Sequence, residues 1–323
     1  MLFWAKLKKV IKIMPRIILA PLQGVTTPLF RTLFVANYTG CNEAMAPFIS
    51  ISSGGKPPLS HIKELLTENN SNRMTLIPQL LSKDGNDFLS AAKVICDATG
   101  SREINWNIGC PSGTVTGKKR GAGLLPHPDI IDRFLNVVCA SMPCRLSIKM
   151  RLGMKSSREW EPLAPILNRY PISEITIHAR TGVQKYDGVA NTEMFAEIKA
   201  ALRHPIVYNG DITTVEFAKE IMKRHPDLSG IMVGRGLVAN PLLADSIQNG
   251  SEANNEAIVQ AILKLHDIIF EGYSKFLQGG ALLGRMKELV KYWGPKLTDD
   301  ERAIRNVLRS RSVEEYRSNF FKI

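Results

Sequence analysis

Glu174-Ile175-Thr176-Ile177-His178-Ala179-Arg180, a helical pattern over residues 193–202, Pro205-Ile206-Val207-Tyr208-Asn209-Gly210-Asp211-Ile212, a second helical pattern over residues 215–224 led by Thr213-Thr214 as an N-cap, then Gly230-Ile231-Met232-Val233-Gly234-Arg235-Gly236: this stretch decides the fold. The apolar runs are short and β-branched, and amphipathic segments separate them. Strand, helix, strand, helix, strand is the pattern of βαβ units on a parallel sheet.

The same alternation extends upstream. Apolar runs fall at residues 17–21, 42–46, 75–81, 104–109 and 145–152. Helical patterns fall at 29–35, 84–98 (with Asp84 as a start signal), 129–140 and 159–169. Four of the runs are apolar on both faces, as strands covered on both sides must be. Eight such units predict an α/β fold, a (β/α)8 TIM barrel. Residues 50–70, polar and rich in Gly and Pro, read as a loop. After Asn249-Gly250-Ser251 the strand signal ends, and only helical spacing follows, with Ile258, Ile262, Leu265 and Ile269, then Leu282, Met286, Leu289 and Trp293. The expected organisation is a basic N-terminal extension (1–14), a barrel (15–249) and a small C-terminal all-helical domain (250–323).

The chain holds 42 Lys and Arg against 30 Asp and Glu, a net charge of +12. Such a balance favours polyanions. The charge is clustered: residues 110–158 carry nine cations (Lys118, Lys119, Arg120, Arg133, Arg145, Lys149, Arg151, Lys155, Arg158) and two acids (Asp129, Asp132). With 44% hydrophobic and 22% charged residues the composition is that of a soluble globular protein. The five cysteines are widely spaced with no CxxC pair and no metal-ligand spacing, so no metal is expected and reduced thiols in a cytoplasmic protein are. Residues 1–16 carry five cations and no acid. Their apolar run is too interrupted to span a membrane, and no membrane partner is expected.

Chemistry in such a barrel gathers at the carboxyl ends of the strands. Read in order, those ends offer Pro21-Leu22-Gln23, Gln79, Asn107-Ile108-Gly109-Cys110-Pro111-Ser112, Lys149 with Arg151, His178, Asn209-Gly210-Asp211 and Gly234-Arg235. A lysine inside an apolar run is costly to bury without a partner. Lysine, histidine and amide groups at strand ends suit an electron-rich heteroaromatic cofactor, and the late glycine loops suit its phosphate. Cys110 stands apart from the other cysteines because it follows a glycine, precedes a proline and has basic neighbours, which favour thiolate.

These motifs, together with Gly121-Ala122-Gly123-Leu124-Leu125, Lys149-Met150-Arg151-Leu152-Gly153, His178-Ala179-Arg180-Thr181, Gln184, Tyr186 and Gly188, resemble the tRNA-dihydrouridine synthases over about residues 15–245. The chain departs from that pattern at Leu22-Gln23, Asn105 and Thr192. The spelling of residues 109–117 resembles the bacterial branch that modifies position 16 of tRNA. The resemblance implies bound FMN, NADPH as reductant and tRNA as substrate. It places Pro21, Leu22, Gln23, Gln79, Lys149, His178, Asn209, Gly210, Asp211, Gly234 and Arg235 around the flavin. It makes Cys110 the acid that protonates C5 of uracil after hydride reaches C6. Asn107, Arg151 and Lys118 are then expected to meet the substrate. Arg302, Arg305 and Arg309, which share a helix face, are candidates for tRNA phosphates. A monomer satisfies the pattern. A flavin oxidoreductase acting on a small molecule would explain the barrel but not the clustered cations, and an RNA-binding barrel without catalysis would leave Cys110, Lys149 and His178 without a role.

Overall fold

The computed structural model describes residues 15–323; the expected basic extension, residues 1–14, lies outside the described residues. The strands are β1 (Ile17–Leu19), β2 (Glu43–Met45), β3 (Ile49–Ser50), β4 (Thr75–Ile77), β5 (Gln79–Leu81), β6 (Glu103–Ile108), β7 (Arg145–Gly153), β8 (Ile175–Thr181), β9 (Ile206–Asn209) and β10 (Gly230–Val233). All their pairings are parallel. They make eight staves, because two are broken in the middle. Pro47 lies between β2 and β3, and Pro78 separates β4 from β5. Proline has no N–H for a ladder, so it interrupts a strand where it stands. The second and third staves pair both before the breaks (β2 with β4) and after them (β3 with β5), while β1 pairs β10 and β5 pairs β6. The ring therefore closes as a TIM barrel.

The barrel-associated helices are α1 (Pro28–Asn37), α2 (Leu59–Lys63), α3 (Gly85–Thr99), α4 (Gly113–Thr116), α5 (Pro128–Ser141), α6 (Ala164–Leu167), α7 (Thr192–Ala201), α8 (Val215–Arg224), α9 (Arg235–Ala239) and α10 (Leu243–Asn249). Asp84 caps α3 by accepting from Asp87 N–H at 2.9 Å, and Thr214 caps α8 by accepting from Phe217 N–H at 3.2 Å. The helix expected over 159–169 shrinks to the single turn α6. Pro162 and Pro165 forbid a longer helix, and Glu159 instead accepts from the N–H groups of Met154, Lys155 and Ser156 to build a turn. The loop expected over 50–70 also contains the short helix α2.

Period-two alternation divides the strands between two cores. Ile104, Trp106 and Ile108 of β6, with Leu146, Ile148 and Met150 of β7, join the large apolar layer under the helices, where Trp106 stacks on Phe134 at 3.7 Å. A second, smaller cluster, Ile18, Ala20, Met45, Val207 and Met232, fills part of the barrel interior. Buried polar side chains, among them Gln79, Asn105, Asn107, Ser147, Thr176, His178 and Asn209, accompany it.

The C-terminal region is α11 (Asn255–Ser274), α12 (Gly279–Leu297), α13 (Glu301–Arg309) and α14 (Val313–Phe320). Ile258, Ile262, Leu265, Ile269, Leu282, Met286, Leu289 and Trp293 are all buried, as their spacing predicts. This helical region is pinned to the barrel by polar contacts. Tyr38 Oη donates to Ala261 O at 2.7 Å, Thr27 Oγ1 and Tyr273 Oη are 2.7 Å apart, and Trp293 Nε1 donates to Val238 O at 2.9 Å. No helix among the described residues is long and apolar enough to cross a membrane.

Candidate active site

A cavity of about 310 Å³ opens at the carboxyl ends of the strands, at the lower end of the size range of small-molecule sites. Pro21, Leu22 and Gln23 come to it from the end of β1, Gln79 from β5, and Asn107 and Cys110 from β6. Lys149 and Arg151 come from β7, His178 from β8, Asn209, Gly210 and Asp211 from the end of β9, and Gly234 and Arg235 from the end of β10. Every residue expected around the cofactor thus lines one cavity, with Cys110 in its wall.

The loop that carries Cys110 is held by its own backbone. Cys110 O accepts from Ala122 N–H at 2.9 Å. Gly121 has φ +54°, and a Cβ there would stand 2.6 Å from Cys110 O, so the turn requires glycine. On the other side, Asn107 Oδ1 accepts from the N–H groups of Gly109 (3.0 Å) and Cys110 (2.9 Å). Basic neighbours in sequence favour a thiolate, and burial in the fold acts the other way. Burial pushes the Cys110 thiol up, and the Ser112 backbone and the charges of Arg151 and Lys149 only partly offset it. Lys118 and Lys119, neighbours in sequence, are exposed and do not line the cavity, and Arg120 turns away to donate to the carbonyls of Ile51 and Leu81. Burial thus favours the neutral thiol at Cys110.

Three cations, Lys149, Arg151 and Arg235, line the cavity, with the buried Arg180 behind them and Asp211 as the carboxylate in its wall. Lys149 Nζ donates to Asn209 Oδ1 at 3.0 Å. Burial, then the charge of Arg151, lowers its pKa to about 7. Burial followed by the charges of Arg151, Lys149, Arg180 and Arg235 drives His178 well below its ordinary value, so it is neutral. Burial pushes the Asp211 carboxyl up, but hydrogen bonds from Arg180 and Ala190 and the charges of Arg180 and Arg235 outweigh it and hold it below the usual range. Asp211 accepts from Arg180 at 2.8 and 2.6 Å and from Arg235 at 3.0 Å. Its part is therefore to orient Arg235, whose guanidinium lies 4.5 Å from the Tyr186 ring centroid. A site with this much unbalanced positive charge is built for an anion.

Several expected contacts are already engaged. Asn209 Nδ2 donates to Met232 O at 2.8 Å, so this amide ties Lys149 to β10. Arg151 is 2% exposed and faces the cavity rather than the outer surface. Its donors go to Gly109 O (3.0 Å), Thr181 O (2.8 Å) and Lys185 O (2.9 Å), which joins the Cys110 loop to the loop after β8. Arg302, Arg305 and Arg309 are exposed on α13, away from the cavity lining, and Arg305 is paired with Glu301 at 2.8 Å.

Sequence reasoning missed the contribution of α12. Tyr292 lines the cavity, and Arg285 Nη1 donates to Gly24 O at 2.8 Å, bracing the loop of Pro21, Leu22 and Gln23. Both lie on an ordinary amphipathic helix after the barrel signal has ended, and nothing in their spacing marks them. Tyr186, quoted as part of a motif, also proves to be a lining residue.

A family model described as Dihydrouridine synthase (Dus) matches residues 18–292. The chain is 30% identical over 274 residues to tRNA-dihydrouridine synthase B of Pasteurella multocida, covering 80% of each chain. It is 30% identical over 247 residues to tRNA-dihydrouridine(16) synthase of Haemophilus ducreyi, covering 74% of each. The two names match at equal identity and do not separate the branch. Among solved structures, an old yellow enzyme homologue from Zymomonas mobilis superposes with a TM-score of 0.53 at 14% identity, over 74% of this chain and 90% of that one; it supports the barrel fold.

Proposed function

Since the chain belongs to the dihydrouridine synthase family, we propose that it is an FMN-dependent enzyme that reduces the C5–C6 bond of uridine in tRNA, with NADPH as reductant. The observation that carries this reading is the meeting of a neutral thiol, Cys110, and a cluster of cations in one cavity at the strand ends.

The residues present fit the cofactor. Its phosphate needs cations and close backbone approach. Arg235 supplies the first, and Gly210 (φ +149°) and Gly234 supply the second; a Cβ on Gly234 would stand 3.2 Å from that of Ala20. Its ring edge needs a donor set, which Lys149 and His178 would provide; the Gln79 amide, already donating to Asn105 and Met45, would only line the wall. Pro21, Leu22 and Gln23 would flank it, and Asn209 and Asp211 would keep Lys149 and Arg235 in place. Bound there, FMN would supply the hydride that uracil C6 takes up.

The rest is this chain's own chemistry. Hydride at C6 leaves electron density at C5, and the Cys110 Sγ–H bond breaks to give that proton to C5. The thiolate left behind regains a proton from solvent, and Lys149 and Arg151 stabilise it meanwhile. A base must leave its stack to enter the cavity. Exposed cations such as Lys118, and Arg302, Arg305 and Arg309 on the helical domain, would hold the tRNA backbone, with Arg151 at the base, while the Asn107 amide is engaged with the Cys110 loop and Gln79. Binding would weaken steeply with salt.

The test is anaerobic: the purified protein is reduced with NADPH, tRNA lacking dihydrouridine is added, and flavin absorbance is followed. Reoxidation that needs tRNA is the expected result. Reduced flavin that ignores tRNA would transfer the reading to a small-molecule oxidoreductase. The α12 brace makes a second prediction. Arg285→Met removes a charge-assisted hydrogen bond to Gly24 O, so FMN retention after gel filtration should fall about tenfold, with Arg285→Lys intermediate. Equal retention in all three proteins would show that the brace has no part in holding the cofactor.

A further inference from the structure

A chain of hydrogen bonds runs through the barrel interior beneath the Cys110 loop. The N–H groups of Gly109 and Cys110 both donate to Asn107 Oδ1. A backbone N–H cannot accept, so the Asn107 amide must turn its oxygen to the loop and its NH2 away from it. That NH2 donates to Gln79 Oε1 at 2.8 Å. Gln79 Nε2 donates to Asn105 Oδ1 at 2.7 Å, and Asn105 Nδ2 to Ser147 Oγ at 3.0 Å. The donor-only backbone groups at the loop end leave each amide in turn a single orientation. Gln79, Asn105, Asn107 and Ser147 are 0%, 0%, 6% and 2% exposed, so the bonds cannot be traded cheaply for water. The strand pattern builds this column: Glu103, Asn105 and Asn107 alternate along β6, and Asn105 lies beside Ser147 in the register with β7.

We propose that Asn105 and Ser147 are positioning residues for proton delivery. They fix the direction of the Gln79 amide, Gln79 fixes Asn107, and Asn107 fixes the Gly109–Cys110 backbone from which the thiol projects. The inference rests on the reading of Cys110 as the proton donor.

Asn105→Leu keeps the size of the side chain and removes both its acceptor and its donor. Reoxidation of the NADPH-reduced enzyme by tRNA is expected to slow about 10²-fold, the scale of a catalytic group displaced by about an ångström. The KM for tRNA and the rate of flavin reduction by NADPH, which does not use Cys110, should stay as in the parent. Asn105→Asp should restore the rate, because a carboxylate still accepts from Gln79 Nε2 and the Ser147 hydroxyl can turn to donate to it. That rescue should vanish in the Asn105→Asp, Ser147→Ala double variant, which has no such donor. In ligand-free protein, the rate of Cys110 alkylation by iodoacetamide, read peptide by peptide by mass spectrometry, should change in Asn105→Leu and not in Asn105→Asp. Parent-like reoxidation and alkylation in Asn105→Leu would overturn the inference, as would an equal fall in both half-reactions. If Asn105→Leu does not fold, the Asp variant with and without Ser147 decides alone, and a rescue that is indifferent to Ser147 overturns it. A parent protein that binds no flavin, or whose flavin ignores tRNA, would instead sink the reading of the site.

Discussion

Cys110→Ala is expected to slow tRNA-dependent reoxidation of the reduced flavin by about 10²–10⁴-fold, the contribution of a positioned general acid, and to leave flavin reduction by NADPH unchanged. The two half-reactions separate because only the second moves a proton to carbon. Stopped-flow absorbance with NADPH alone, then with tRNA, reads both. Cys110→Ser should rescue little, since an alcohol is a far weaker acid than a thiol. The pH profile carries a sign. The acid must be protonated, and burial pushes the Cys110 thiol above its ordinary value of 9.0. The reoxidation rate should therefore stay flat through neutral pH and fall only as pH rises past that raised value. A rate that rises between pH 6 and 9 would mean that the thiolate is the working form, and would remove Cys110 as the acid.

Lys149→Met should stabilise the ligand-free protein at neutral pH while weakening FMN binding. Burial and Arg151 lower the Lys149 ammonium from 10.5 in the unfolded chain to about 7 in the folded one. Between those values the unfolded state holds more protons than the folded state, so unfolding free energy rises with pH from about 7 to 10.5. Below about 7 the full cost of the buried charge is present. Methionine removes that cost and should flatten the slope, which thermal melts of both proteins across pH 6–10 would show. On the proposed reading the same substitution would also delete a charged hydrogen bond to FMN, worth about 1.5–3 kcal/mol, so affinity should fall on the order of 10- to 100-fold. A strained site that improves in stability when its function is removed is the expected trade-off. Parallel melting curves for the two proteins would show that Lys149 carries no buried-charge penalty.

Much of this site is legible in the sequence because strand ends are local. Once the runs ending at Gln79, Cys110, Lys149, His178, Asn209 and Gly234 are recognised as parallel staves, their ends must meet at one mouth, and they do. Three things escape that logic. The state of Cys110 depends on how deeply the folded wall encloses it, and nearby lysines in sequence say the opposite of what burial does. The helix expected over 159–169 fails on two prolines that periodicity does not weigh. The brace from Arg285 and the lining by Tyr292 join residues more than 200 positions apart in the chain, across a contact between two helical and barrel surfaces that leaves no repeat or spacing to read.

β6 marks the boundary most sharply. Glu103-Ile104-Asn105-Trp106-Asn107-Ile108 fixes by itself that this segment is a strand with one apolar and one polar face, because side chains alternate with period two. It does not fix which face turns inward. Closure of the ring sends the apolar face out to the helices and the polar face into the barrel, where no solvent is available and each amide must find a partner on a neighbouring stave. The eight staves, the residues at their ends and the helical tail were determined by local pattern. The direction of the amide column, the protonation of Cys110 and Lys149, and the reach of α12 into the cavity were decided by the tertiary structure, because burial and pairing across distant segments are set only when the chain closes.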